Sequence, residues 1–427
     1  MNDTELHGQK KDKKNGSGKI NQKNIKNPKK KKGWSKKKKT LVTLGFIFIF
    51  IVIVLAVIVG MFFHYTGLLD RNGDDKVNTG PAPIDSSLYV DEADTFDQKQ
   101  KEEELKEELK KNSSKISDEN VMNILLIGED IRDTEGNDRG NTDVMMIISL
   151  NSEQRTITMT SLMRDMYVYM SQYDSSGKLN AAYWHGGASY LEEVIEDYFG
   201  IEIDRYVKVN FRQFIDIVEA VGGLDLTVAY NEANAMDSPL AEQNKYLGNK
   251  KGTDYIDKSL YTKGTDDEKI DMHLNGNQSL AYARIRYNCG DDYGRTQRQR
   301  IVIKEIIEKS KKLSLVELDK LINKVFPEVQ TDITNGEIAS LLLNAFDYMD
   351  YDVQELRIPA DGYFTDEVIW NMEVLSTNFQ ANSAFIKYII YGECSNIEEA
   401  SKLYEEEIAN GTFYQNNDVN NTYGYGY

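Results

Sequence analysis

The chain has 427 residues, with 51 Lys and Arg against 69 Asp and Glu, for a formal net charge of −18. Residues 1–40 carry 15 Lys against Asp3, Glu5 and Asp12, a net +12, whereas the other 387 residues hold 36 basic and 66 acidic groups, a net −30. This division argues against a simple soluble cytosolic protein, and against nucleic acid as a partner, because most of the chain repels phosphate backbones.

After the Lys-rich arm (1–40) come 23 uncharged residues, Leu41 to Phe63. As a helix they would span about 34 Å, enough for a bilayer core of about 30 Å. A cleaved signal peptide would have a shorter apolar core and a small-residue cleavage site, and His64-Tyr65-Thr66-Gly67 offers none. The expectation is one uncleaved transmembrane helix (41–63) in the cell membrane. Lysines 29–32 and 36–39 precede it and acids follow it, so the N-terminus is expected to be cytoplasmic and the rest extracellular. The arm would face anionic headgroups of the lipid bilayer.

Residues 64–120 read as a charged extracellular stalk. Within it, Asp91 to Lys111 is expected to form an exposed helix or spacer, since Leu105 and Leu109 alone cannot build a core. A single folded domain is expected over 121–410. Asn123–Ile127, Val144–Leu150 and Thr156–Ser161 read as strands, the last two joined by a polar turn. Tyr190–Phe199 has helical spacing and stops at Gly200, and Tyr206–Val209 is a strand. Phe211–Ala220 then reads as a helix stopped by Gly222-Gly223, and Leu224–Val228 as a strand. Gln278–Arg286 reads as helix passing into strand, Thr296–Lys312 as a long helix, and Leu341–Phe346 as part of a core helix. Strands alternating with helices predict an α/β domain with a mixed central sheet. The end of the chain, 411–427, is Asn/Tyr/Gly-rich and is expected to be disordered from Phe413 on. Cys289 and Cys394 are the only cysteines, and spacing alone does not say whether they pair.

The chemistry-bearing residues are arginines and aspartates. Of 13 arginines, five lie between 284 and 300: Arg284, Arg286, Arg295, Arg298 and Arg300. An arginine cluster in an acidic domain points to a bound anion, because the guanidinium fork matches phosphate oxygens; the alternative is surface ion pairing. On a strand Arg284 and Arg286 would share a side, and on a helix starting near Asp292 the positions 292, 295, 298 and 299 would share a face. Asp130 and Asp143 sit at the ends of the first two strands. If those strands are antiparallel neighbours, the two carboxylates meet at one sheet end and suit Mg²⁺; turn aspartates are the alternative. Arg164-Asp165 would reach the same end. Gly186-Gly187 permits either close approach to a ligand or a tight turn. Zinc spacing, a phosphate-binding loop and a nucleophile elbow are all lacking.

In order and spacing these segments resemble the LytR-CpsA-Psr family: NILLIGEDIR (123–132), NTDVMMIISL (141–150), TMTSLMRDMYV (158–168), KLNAAYWHGG (178–187), DRYVKVNFRQFIDIVEAVGGLDLTV (204–228) and LNGNQSLAYARIRYNCGDDYGRTQRQR (274–300). The resemblance implies an α/β/α sandwich and an enzyme that moves a glycopolymer, such as teichoic acid, from an undecaprenyl-pyrophosphate carrier to peptidoglycan through a phosphodiester. It implies Asp130 and Asp143 as ligands of a Mg²⁺ cofactor. Arg164, Arg284, Arg286 and Arg295 would bind pyrophosphate, with Arg298 and Gln299 beside them. Asp292, Arg286 and Arg295 would be catalytic, Asp292 orienting or deprotonating the acceptor hydroxyl. The chain departs from the family pattern at Asn141-Thr142, where Arg-Ser is usual, and Arg139 would replace that arginine. It also has Met163 where a proline is common. A non-catalytic binder and a pyrophosphatase of lipid-linked glycopolymers remain as alternatives.

Overall fold

The structure is a computed structural model that describes residues 94–111, 115–130, 141–314, 317, 320, 323–324, 329–392 and 394–413. The Lys-rich arm, the apolar segment 41–63 and Arg139 lie outside the described residues. Among the described residues no helix is long and apolar enough to cross a membrane.

In chain order, α1 (Asp94–Lys111) precedes β1 (Val121–Asp130), β2 (Asn141–Asn151), β3 (Thr156–Leu162), β4 (Tyr167–Met170) and β5 (Ser175–Lys178). Next come α2 (Leu179–Phe199), β6 (Arg205–Asn210), α3 (Phe211–Ala220), β7 (Leu224–Ala229), α4 (Tyr230–Ala235), α5 (Asp237–Leu247), β8 (Lys269–Leu274), α6 (Gly276–Arg284) and α7 (Asp291–Ser310). The last group is β9 (Gln330–Thr331), α8 (Asn335–Leu343), α9 (Ala345–Tyr348), β10 (Asp352–Ile358), β11 (Phe364–Ile369), β12 (Met372–Thr377), α10 (Phe379–Ile390) and α11 (Ile397–Asn410).

The central sheet has the order β10-β3-β2-β1-β6-β9. It is mixed: β1 runs parallel to β6 and β3 parallel to β10, while β2 is antiparallel to both β1 and β3. Helices cover both faces, so β1 is apolar on both sides and reads as a continuous hydrophobic run. Leu125, Ile127, Met145 and Ile147 point into the larger core, against α2 and α10. Leu126 and Val144 point to the other face, toward α3, α6 and α7. A second core lies beneath the antiparallel β7–β8 pair and takes Val218, Leu240, Ala281 and Val302 from the surrounding helices.

The turn at 151–155 forms as expected, with Asn151 Oδ1 accepting from the Gln154 amide at 2.8 Å. Helix α2 ends at Gly200, whose φ of 59° is the left-handed cap that glycine accepts without strain. Gly186-Gly187 serves packing within the same helix: the chain kinks at Gly187, and a Cβ on Gly186 would lie 2.3 Å from that of Tyr190.

Four expectations are corrected. The charged segment does not stand free, because α1 packs against β4 and α2 and buries Leu105 to 5 % exposure. Leu105 and the partly buried Leu109 suffice there because the receiving surface is already built from Tyr167, Met170 and their neighbours. Residues 278–286 do not pass into a strand: α6 ends at Arg284, and Arg286 sits in the following loop. Leu341–Phe346 is not one core helix, since α8 and α9 break at Asn344 and Leu343 is 72 % exposed. Phe413 is buried against Tyr404, with ring centroids 4.9 Å apart, so the ordered chain extends past 410. Cys289 and Cys394 are not joined in a disulfide.

Leu105→Ala should destabilise the domain by about 2–4 kcal/mol, the usual penalty for emptying a buried leucine site; denaturant unfolding would show only a few tenths if α1 were undocked. A second outcome concerns Lys387 on α10, whose ammonium burial lowers from 10.5 to about 8. The unfolded chain holds that proton more firmly, so this lysine makes stability rise with pH between about 8 and 10.5. Lys387→Met should melt higher than wild type at pH 7, with the difference shrinking toward pH 10 in thermal unfolding scans.

Candidate active site

The C-terminal ends of the parallel strands β1, β3 and β6 lie at one edge of the sheet, where open α/β sheets place their ligands. Glu129 is in register with Asn210 on β6, and on the other side of β1 the ladder to β2 slips by one residue. Gly128 faces Val144 while Glu129 faces Thr142, so Asp143 is the extra residue of a β-bulge. The bulge re-aims its side chain, and Asp143 and Val144 both reach the same cavity. Gly128 is required for this approach, because a Cβ there would lie 2.8 Å from that of Val144.

Helix α6 begins at a capping box in which Asn275 accepts from the Gln278 amide and Gln278 accepts from the Asn275 amide. It ends at Arg284, and the loop 285–290 leads into α7. The loop tucks against that helix only because residue 294 is glycine: a Cβ there would lie 2.0 Å from the Cys289 carbonyl oxygen. Arg298 clamps the loop. Its guanidinium donates to the carbonyls of Ile285 at 2.6 Å and Cys289 at 2.8 Å, and it pairs with Glu232 at 3.3 Å.

Three arginines converge on two carboxylates. Arg164 donates to Asp143 Oδ1 at 2.6 Å and lies 3.8 Å from Asp292 Oδ2. Arg295, 4 % exposed in its side chain, lies 3.0 Å from Asp292 Oδ1 and 3.7 Å from Asp143 Oδ1. Arg286 donates to Asp292 Oδ2 at 3.1 Å, and its Nε lies 2.9 Å from Oδ1. The contacts at Asp292 Oδ1 are close but misaligned, so that buried oxygen accepts no hydrogen bond, and the buried Nε atoms of Arg164 and Arg295 donate none. Buried donors without acceptors are expensive to keep, so this end of the cavity has unused capacity for an anion.

The charges tune one another. Burial pulls the Arg295 guanidinium below its ordinary value, with Asp143 and Asp292 opposing. For Arg164 burial acts the same way, but Asp143, Asp165 and Asp292 outweigh it and the net shift is upward. Burial would raise the Asp165 carboxyl; Arg164 and an ion pair with Lys178 overcome it and hold the group below the usual carboxylate range.

The cavity behind this cluster has a volume of about 670 Å³. Its walls are largely apolar, with Leu126, Phe211, Phe214, Val302 and Ile306 leading to Asp143, Arg164, Arg286, Arg295 and Gln299 at the charged end. Arg284 also lines it but is held by Glu242 at 2.7 Å and lies 4.4 Å from the Phe211 ring centroid. The structure thus brings together Asp143, Arg164, Arg286, Asp292, Arg295 and Gln299, with Arg284 on the side wall. Arg298 stands apart as the loop clamp and faces away from this cavity. Asp130 ends β1 in register with Asn141, at the same sheet end as Asp143; its side chain, like Arg139, lies outside the described residues. Among the described residues no three His, Cys, Asp or Glu side chains gather as a metal site. Sequence reasoning missed the pair of Glu129, in the cavity wall, with Lys208 at 3.3 Å; the signal was a charged residue set within each of two apolar strands.

Together the sheet edge, the apolar cavity and the convergent arginines define an α/β protein with a largely apolar cavity that carries a cluster of guanidinium groups at one end. The chain belongs to the LytR_cpsA_psr family, which residues 87–387 match. It is 29% identical over 260 residues to a polyisoprenyl-teichoic acid–peptidoglycan teichoic acid transferase TagU of Bacillus mycoides, covering 60% of this chain and 75% of that one. It is 34% identical over 239 residues to Biofilm regulatory protein A of Streptococcus mutans, covering 53% and 54% of the two chains. Among solved structures, a Streptococcus agalactiae protein is 27% identical, with TM-score 0.48 and coverage of 64% and 88%.

Removing the clamp should differ from removing a ligand-binding arginine. Arg298→Ala is expected to cost about 3–5 kcal/mol, because it strands Glu232 and two carbonyls. Arg286→Ala, at a half-exposed side chain, should cost under about 1 kcal/mol. Equal losses of stability in urea unfolding would contradict the division of roles.

Proposed function

We propose that this protein transfers a glycopolymer from an undecaprenyl-pyrophosphate carrier to peptidoglycan, at the cavity between β1, α3 and α7. The observation that carries the reading is the apolar cavity ending in buried arginine donors that lack acceptors. An isoprenoid tail suits the apolar wall, and a pyrophosphate suits Arg164, Arg286 and Arg295. The relatives named as teichoic acid transferases support the same class of reaction.

Phosphoryl transfer asks the protein mainly for positioning and charge stabilisation. The 6-hydroxyl oxygen of a muramic acid attacks the phosphorus that bears the polymer, and its proton passes to Asp292. The bond from that phosphorus to the bridging oxygen breaks, undecaprenyl phosphate leaves with the bridging oxygen, and one phosphate remains as a phosphodiester. Arg286 and Arg295 hold Asp292 in place and spread the charge developing on the phosphate oxygens. Arg164 joins this site to Asp143.

Asp130 and Asp143 are the proposed Mg²⁺ ligands. The chemistry fits: Asp143 is a hard oxygen donor, Asp130 ends the neighbouring strand in register with Asn141, and two carboxylates, too few for an all-protein cage, would leave room for water and phosphate oxygens. Bound there, Mg²⁺ would supply positive charge to the pyrophosphate. The proposed topology places the arm 1–40 in the cytoplasm, one helix at 41–63, and the catalytic domain outside, keeping the site near a carrier confined to the bilayer.

The test uses the full chain, Mg²⁺, lipid-linked donor and peptidoglycan. Wild type should release undecaprenyl phosphate and form a glycan conjugate. Asp143→Ala and Arg286→Ala should lower conjugate formation by about 10²–10³-fold, the scale of losing one preorganised charge contact. Free polymer phosphate without conjugate would identify a pyrophosphatase, and donor binding without turnover a non-catalytic binder.

A further inference from the structure

The active-site cavity changes in chemistry from one end to the other. Helix α7 runs along it and contributes Arg295 and Gln299 first, then Val302, Ile303 and Ile306. At helical rise the step from Arg295 to Ile306 is about 16 Å, so the guanidinium cluster lies at the start of α7 and the apolar wall further along. The loop 285–290 joins α7 at the cluster end. Exposure marks where the cavity opens: of the residues that line it, those exposed to solvent are Asn234, Ser238, Glu242, Tyr287 and Asn288. Tyr287 and Asn288 belong to that loop. Asn234, Ser238 and Glu242 stand on α4 and α5, and Met236 between the two helices is itself helical, with φ −63° and ψ −23°. Spaced by four, the three share one face. Asn231 Nδ2 donates to the Asn288 carbonyl at 3.2 Å and Arg284 pairs with Glu242 at 2.7 Å, which ties α4 and α5 to the segment 284–288.

This rim differs from both parts of the cavity that it encloses. It has no aliphatic side chain, so it does not continue the apolar wall. It has no cation either: its one charge is the Glu242 carboxylate, and the guanidinium beside it, Arg284, is engaged by that carboxylate and by Gln243 Oε1 at 3.3 Å. Two amides, a hydroxyl, a paired carboxylate and one aromatic ring suit a ligand that is rich in hydroxyl groups and has an apolar C–H face, which is a sugar. The ring, Tyr287, is 76 % exposed, with Arg286 at 6.0 Å from its centroid. Arg298 holds the carbonyls of Ile285 and Cys289 on either side of it, so the ring is presented from a fixed backbone and binding costs little ordering of the loop.

We propose that this rim is the subsite for the first sugar of the donor polymer, the one bonded to the pyrophosphate, and that it selects an uncharged sugar. The inference rests on the transferase reading and deepens it by naming the class of donor. The cavity then matches the donor part by part: the isoprenoid against the apolar residues of α7, the pyrophosphate at the arginine cluster, and the sugar on Tyr287 with hydroxyls toward Asn234 and Ser238. A uronic acid in that place would face the Glu242 carboxylate with no cation left to pair it.

The test measures calorimetric affinity of the full chain for three detergent-solubilised probes: undecaprenyl pyrophosphate, the same lipid bearing N-acetylglucosamine, and the same lipid bearing glucuronic acid. Wild type should bind the N-acetylglucosamine probe about tenfold or more tighter than the other two. Tyr287→Ala and Ser238→Phe, both at exposed positions that leave the core untouched, should reduce that probe to the affinity of the bare lipid. In turnover the same variants should raise donor KM and leave acceptor KM within about twofold. Equal binding of the three probes by wild type, a preference that survives both substitutions, or a rise in acceptor KM in place of donor KM would overturn the rim assignment. Binding of the glucuronic acid probe as tight as that of the neutral one would overturn the selection for an uncharged sugar. Conjugate formation without any sugar preference would refute the rim and leave the transferase reading intact. A sugar preference lost in both variants, in a protein that forms no conjugate, would uphold the rim and refute the transferase reading; no binding of any probe would refute both.

Discussion

Burial of guanidinium charge governs this molecule. Helix α7 carries Arg295 and Arg298 one turn apart, both nearly inaccessible, and a buried charge must be paired or it destabilises the fold by several kcal/mol. The two solve this differently. Arg298 finds its acceptors in the protein, two loop carbonyls and Glu232, and so fixes the loop that carries Arg286. Arg295 finds only partial compensation, in the carboxylates of Asp143 at 3.7 Å and Asp292 at 3.0 Å, while the Nε of both arginines lacks an acceptor. The first arrangement makes a rigid support. The second makes a site, because the same donors accommodate phosphate oxygens where carboxylates fit them imperfectly. The carboxylates hold the arginines apart in a chain whose acidity supplies such partners freely.

Much of this was legible in the sequence. Strands β1, β2 and β3 and helix α3 lie where apolar runs, turn residues and glycine stops place them. The meeting of Arg164 with Asp143 follows from strand direction, since the antiparallel β2 begins at the sheet end where β3 finishes. What was hidden depended on partners far along the chain. Leu105 looks solitary among charged residues because the surface that buries it comes from β4 and α2. Arg298 shares a helical face with Arg295 by spacing, yet the loop 285–290 folds back over it and takes its donors. Arg284 and Arg286 were assigned to a strand from their alternation, but α6 runs on to Arg284 before the chain turns. Residues 301–410 carried no recognisable motif, although they deliver β10, an integral strand of the sheet.

The opposed charges of the chain also acquire a local meaning. The −30 of residues 41–427 does not prevent an anion site, because the relevant field is set within a few ångströms by groups shielded from water. Three arginines around two aspartates leave a positive surplus inside the cavity, and Lys178 offsets Asp165 beside it. The acidic exterior acts over longer distances and is screened by salt; the interior pairs are screened much less.

The placement of β10 has a consequence for how the chain is made. Every residue of β3 is buried, and one edge of that strand is closed only by β10, whose Asp352 is in register with Thr156. Nearly two hundred residues separate the two strands. During synthesis from the N-terminus, the β1–β2–β3 meander is complete long before its outer edge can be covered. For that interval it presents a row of unpaired backbone groups with Ile157 and Met159 beside them, the kind of edge that recruits other chains. Contacts so distant in sequence also slow the final closure. The nascent protein is therefore most exposed to mispairing after its site-forming strands exist and before the strand that seals them has arrived.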